Sequence, residues 1–160
     1  MKRALAGSAV LALFLTTNVS AGPGCESPQG EAALRTAALQ QYLMVAALTC
    51  QRVPAYNGFV VSHQRELQES DRALLQLFMR RDSQRGDANY NAYKTWLANA
   101  ASMRSLHDPR FCEIADSAFG AAVGRPLVDV VQERPVPLDI SEVECAANSP
   151  MQHHAALESR

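Results

Sequence analysis

Apolar and polar positions along this chain recur at steps of three and four over four long stretches, the period of helices with one buried face. Over residues 28–48, Leu34, Ala38, Tyr42 and Val45 form a stripe that Ala33, Ala37, Met44 and Ala47 widen. So many alanines and so few charges predict a helix packed on several sides. Ser27 before Pro28 supplies its start, with serine as N-cap and proline at the first helical position. Residues 54–84 read as one long amphipathic helix. Tyr56, Phe59, Val60, His63, Leu67, Leu74, Leu77 and Phe78 lie on its inner face, opposite Arg65, Glu69, Arg72 and Arg80. Gly86 is expected to stop that helix and Asp87 to cap the next.

A third helix is predicted over 88–106, with Tyr90, Tyr93, Leu97, Ala100 and Ala101 inside and Trp96 and Met103 on one shoulder. Asp108-Pro109 ends one segment and caps another. The fourth helix, 109–123, buries Cys112, Ala115, Ala118, Phe119 and Ala122 before Gly124 closes it. Residues 126–132 form a short fifth turn of helix, and Pro135 and Pro137 lead an extended segment to Cys145. No run alternates with the period of a strand. Short connections favour antiparallel neighbours. The expected fold is all-α: an antiparallel, up-down-up-down four-helix bundle with a proline-rich C-terminal strap and two disulfides.

Composition adds an address. The chain has 160 residues, enough for one domain, with 48% hydrophobic and 19% charged residues. Lys2 and Arg3, an apolar centre from residue 4 to 15 and the small residues Val19-Ser20-Ala21 make 1–21 a signal peptide. Its core is about half the length that a spanning helix requires, so no membrane span is expected after cleavage. Acylation of Cys25 is disfavoured, because Gly22-Pro23-Gly24 lacks the leucine of a lipobox. Residues 22–145 then form a helical domain in the periplasm or outside the cell, and 146–160 a mobile tail that folding does not need. All four cysteines follow the cleavage point, and an even number in an exported chain reads as two disulfides.

Chain direction selects the pairing. A helix of about 20 residues between Cys25 and Cys50 spans about 30 Å, too far for a bridge. If the first helix rises, Cys50 and Cys112 both lie at the top, and the strap returns Cys145 to Cys25 at the bottom. The expected pairs are Cys50–Cys112 and Cys25–Cys145.

Candidate chemistry is sparse. The charge balance, 15 basic against 16 acidic residues, argues against nucleic acid as a partner. No Cys-x-x-Cys pair, phosphate-binding glycine motif or nucleophilic serine motif occurs, so neither a metal nor a cofactor is expected. His63 on its apolar stripe, with Glu66 three residues on, could act as ligand or base. Its ordinary reading is a histidine at the core edge. Di-iron bundles use Glu-x-x-His on two helices, whereas here the order is reversed and the motif single. Tyr90, Tyr93 and Trp96 could line a groove for an apolar ligand or a sugar, but such stripes ordinarily pack a core. Arg80, Arg81 and Arg85 form a basic cluster within residues 51–107, which carry eight basic and five acidic groups. Its ordinary reading is favourable charge at a helix C-terminus.

The stretches from Leu34-Arg35-Thr36-Ala37-Ala38-Leu39-Gln40-Gln41 to Leu48-Thr49-Cys50, then Tyr56-Asn57, His63-Gln64, Glu69-Ser70-Asp71, Gly86-Asp87, Tyr90-Asn91-Ala92-Tyr93-Lys94 and Asp108-Pro109-Arg110-Phe111-Cys112, carry a resemblance. They are similar to small exported helical proteins of Gram-negative bacteria, known only as hypothetical proteins. The resemblance covers about residues 34–112. It implies a periplasmic setting and brings no catalytic residue with it. Together these features point to an interaction or accessory protein, possible partners being other proteins. The alternative is an enzyme or ligand-binding protein with a site near His63 and the Tyr90, Tyr93 and Trp96 stripe.

Overall fold

The computed structural model describes residues 27–134 and 137–140. Among the described residues six helices follow one another: α1 (Pro28–Thr49), α2 (Val53–Ser62), α3 (Gln64–Arg81), α4 (Gly86–His107), α5 (Phe111–Ala122) and α6 (Leu127–Glu133). No strand occurs among the described residues. None of these helices is long and apolar enough to cross a membrane. The expected signal segment 1–21, the expected Cys25–Cys145 pair and the expected tail 146–160 lie outside the described residues.

Helix α1 is the hub. The Ser27 hydroxyl accepts the Gly30 N–H at 3.2 Å, satisfying one of the free donors of the first turn. Burial reaches every side of it: Ala33, Leu34, Ala37, Ala38, Leu39, Tyr42, Leu43, Val45, Ala46 and Ala47 are all enclosed. The other five helices all pack against it. Tyr93 in α4 donates to the Leu34 carbonyl, and Tyr42 donates to the carbonyl of Phe111 at the start of α5. Helices α1 and α4 therefore run side by side in the same direction. Helix α3 runs against them, with Asp71 beside Tyr90 and Lys94 and with Met79 against Gly86.

Cys50 and Cys112 form a disulfide with Cα atoms 5.7 Å apart, joining the end of α1 to the first turn of α5. This is the pair that chain direction selects. Arg52, just beyond, makes two charge-assisted bonds to Asp116, at 2.7 and 3.0 Å.

Where one helix was expected over 54–84, there are two. The break falls at His63, which ends α2 and opens α3 with φ −110° and ψ 16°. The apolar stripe runs through it unbroken, so periodicity alone could not reveal the bend. Side-chain bonds from His63 to another part of the chain accompany it.

Gly86 does not stop a helix; it is the first residue of α4. A Cβ on it would stand 2.7 Å from the Met79 Cα and 2.9 Å from its nitrogen, so α3 and α4 approach there as only glycine allows. Asp82 ends α3 instead. Its carboxylate accepts the N–H groups of Gln84 and Arg85 and the Arg85 guanidinium.

The descending leg after α4 is also double, because Gly124 at φ +66° separates α5 from α6. Leu138 and Ile140 are buried beyond it as part of the core, and the Pro137 carbonyl accepts Arg104 at 2.6 Å. Between α1 and α2 the chain turns through Gln51 at φ +57°, while the Arg52 N–H returns to the Ala47 carbonyl. That is a Schellman turn with glutamine in the position that glycine usually holds.

Candidate functional site

His63 and Glu66 are brought together, as their spacing anticipates. His63 is 5% exposed and lies against the Phe59 ring. Its Nε2 faces the Ala122 carbonyl at 3.0 Å, and its Nδ1 faces Glu66 Oε1 at 3.1 Å. The other Glu66 oxygen accepts the N–H of Leu127, the first residue of α6, at 2.7 Å. A carbonyl and a carboxylate are both acceptors, so each faces a ring nitrogen that can donate to it. Burial pushes the Glu66 carboxyl up, but the bonds from His63 and Leu127 outweigh it and hold the group below its ordinary range. The pair thus ties the α2–α3 junction to the turn between α5 and α6. Both ring nitrogens are spent on protein groups.

The aromatic stripe disperses. Tyr93 is fully buried, donates to Leu34, and packs 5.5 Å from the Phe78 ring. Trp96 stacks on Tyr93 at 5.9 Å and is 41% exposed. Tyr90 donates to Asp71 at 2.7 Å, and Lys94 reaches Asp71 at 2.8 Å and the Tyr90 oxygen at 3.0 Å. In this trio burial opposes both charges, yet the mutual bonds prevail: the Asp71 carboxyl is lowered and the Lys94 ammonium raised. Asp71 lies two helical turns along α3 from His63. None of these groups lines a cleft of about 340 Å³ whose walls include Leu39, Ile114, Ala118, Val130 and Val131. His63 thus bonds to Glu66 and Ala122, while Tyr90 and Tyr93 bond to Asp71 and Leu34.

The basic cluster is similarly divided. Arg85 pairs with Asp82 at 3.1 Å, and the Arg81 guanidinium sits 5.6 Å over the Phe78 ring. Arg80 is exposed. Among the described residues no group of three or more histidine, cysteine or acidic side chains is arranged to hold a metal ion. Every buried side-chain nitrogen and oxygen among them has a hydrogen-bond partner.

One surface escaped the sequence reading. On α4, Ala88, Ala92, Trp96, Asn99, Met103 and Leu106 all face solvent. Met103 is 55% exposed and Leu106 75%. Residues 92, 96, 99, 103 and 106 follow steps of four and three, the spacing of a packing seam, on the side away from Tyr93, Leu97 and Ala101. The two long cations of α4 leave this face: Lys94 turns to Asp71, and Arg104 to Asp108 and the Pro137 carbonyl. The alternation of small and large residues was the available signal, but it resembled the shoulder of the inner stripe. Comparison of the chain with protein-family models, with curated proteins and with solved structures finds no match.

Proposed function

We propose that this chain is an exported interaction or accessory protein, acting in the periplasm or outside the cell, whose helical bundle holds a docking face for another protein surface. The carrying observation is the uncharged face of α4. Exposed helix faces ordinarily carry charge, as α3 does with Arg65, Glu69, Arg72 and Arg80. Helix α4 instead presents Trp96, Met103 and Leu106 to water. Apolar area left in water costs about 25 cal/mol per Å², which docking recovers. The face is also preformed: Tyr93, Leu97 and Ala101 fix α4 from behind, and Lys94 and Arg104 hold its flanks. Little conformational freedom is then lost on binding. The Cys50–Cys112 disulfide supports the address, since such bonds persist in oxidising compartments.

A photo-cross-linking side chain at position 103, expressed in the host cell, tests this reading. It should yield discrete adducts. The same group at position 65, on the charged face of α3 where Arg65 is 89% exposed in its side chain, should not. Absence of any adduct from position 103 would remove the docking role.

A further inference from the structure

We propose that the His63 ring is a proton-controlled tie on the turn between α5 and α6. With both nitrogens protonated it holds the turn closed, and as the neutral ring it releases the Ala122 carbonyl. The turn needs such a tie because its own backbone bonds are long. The Val123 N–H reaches the Gly120 carbonyl and the Arg125 N–H the Ala122 carbonyl, each at 3.4 Å, beyond the usual range of about 2.7–3.2 Å. Gly124, at φ +66°, lies between those two donors. The contact of ordinary length at Ala122 comes from across the fold, from His63 Nε2 at 3.0 Å.

Proton count decides whether that contact is a bond. The two ring nitrogens face two acceptors, the Ala122 carbonyl and the Glu66 carboxylate, and a neutral imidazole carries a single N–H. A bond to a carboxylate is charge-assisted and the stronger of the two, so the neutral ring keeps its proton on Nδ1. The Nε2 proton passes to solvent. A lone pair then faces the carbonyl oxygen at 3.0 Å, and the two repel. Glu66 keeps its charge through this change, because its carboxyl is held below the ordinary range. Among the described residues no other charged group bonds to the ring. Helix α2 offers it the Phe59 ring, Arg65 of α3 acts on Glu66, and Arg125 in the turn pairs with Glu133 at 2.6 Å. Release lets the last turn of α5 part from the α2–α3 junction. Ala118 and Ala121 of α5 and Val130 and Val131 of α6 wall the cleft over Leu39, so the spacing of those walls follows the proton.

Nitrogen and carbonyl-carbon NMR of the disulfide-bonded chain tests this, titrated from about pH 5 to 8, where imidazoles ordinarily change charge. The His63 Nε2 signal should move to that of an unprotonated nitrogen, and the Ala122 carbonyl signal should shift with the same midpoint. Over that range the hydrogen-exchange protection of the Val123 and Arg125 amides, corrected for intrinsic rate, should fall by about five- to tenfold, the worth of one ordinary hydrogen bond. His63→Gln should abolish the pH response of the Ala122 carbonyl and of both amides, since a carboxamide does not titrate. His107 remains in that variant and serves as the control. The titration of the unaltered chain decides by itself should His63→Gln fail to fold. A ring that keeps the same proton count across the range overturns the proposal. So does a turn whose carbonyl signal and amide protection stay constant while the ring titrates, and so does a response that persists in His63→Gln.

Discussion

Tyr42 places a phenol in the dry seam between α1 and α5, its ring 4.8 Å from that of Phe111 and its hydroxyl bonded to the Phe111 carbonyl at 3.1 Å. Burial pushes its pKa from 10.0 up to about 12. The folded state therefore keeps a proton that the unfolded state gives up. Stability from this group is full below pH 10 and falls as pH rises toward 12, by about 2–3 kcal/mol over the two units. Tyr42→Phe should lose about 1 kcal/mol at neutral pH with the hydrogen bond, and show a shallower alkaline decline in urea denaturation between pH 9.5 and 11. An unchanged slope would mean that the phenol ionises in place. At Gly86 the expectation is set by space. Alanine favours a helix by about 1 kcal/mol over glycine, yet its Cβ would press on the Met79 backbone. Gly86→Ala should still destabilise, by about 1–3 kcal/mol in thermal melts. The sequence suggested only a helix stop at Gly86; its actual role, a close approach between helices, was not legible, because it depends on a tertiary distance.

At the scale of elements, the break between α2 and α3 matters most. His63→Ala should cost about 2–3 kcal/mol, since it leaves Glu66 without its main partner and the Ala122 carbonyl without a donor. Glu66→Ala should cost a similar amount, and the double substitution clearly less than the sum. Additive losses would show that the two act separately. A one-dimensional pattern reports which face of a helix is buried and stays silent about bends that keep the same face inward. For that reason Phe59, His63 and Leu67 read as one stripe while the backbone turned between them. The limits of α1 were legible because cap and period agree there; α4 was legible by period alone, since Asp87, expected to cap it, lies inside its first turn and no side chain caps it. Only the small-large alternation on the outer side of α4 distinguished its second seam, and the inner stripe of tyrosines and leucine masked it. The His63–Glu66 contact was legible from spacing alone, whereas its partners Ala122 and Leu127 are about sixty residues away and left no local trace.

For the whole molecule, the Cys50–Cys112 link closes a loop across 62 positions. Constraining the unfolded chain to that extent is worth about 4 kcal/mol in the chain-entropy picture. Replacing both cysteines with serine should lower the unfolding free energy by up to about that amount, and a change under about 1 kcal/mol would locate the stability elsewhere. The disulfide also closes the end of a hub whose every side is covered. From Ala33 to Ala47 no residue of helix α1 is exposed, so no neighbour can leave without opening it. Its amide hydrogens, from Leu34 to Ala47, are thus the molecule's clock: they should trade with deuterium only when all five surrounding helices part at once, at the rate set by global unfolding.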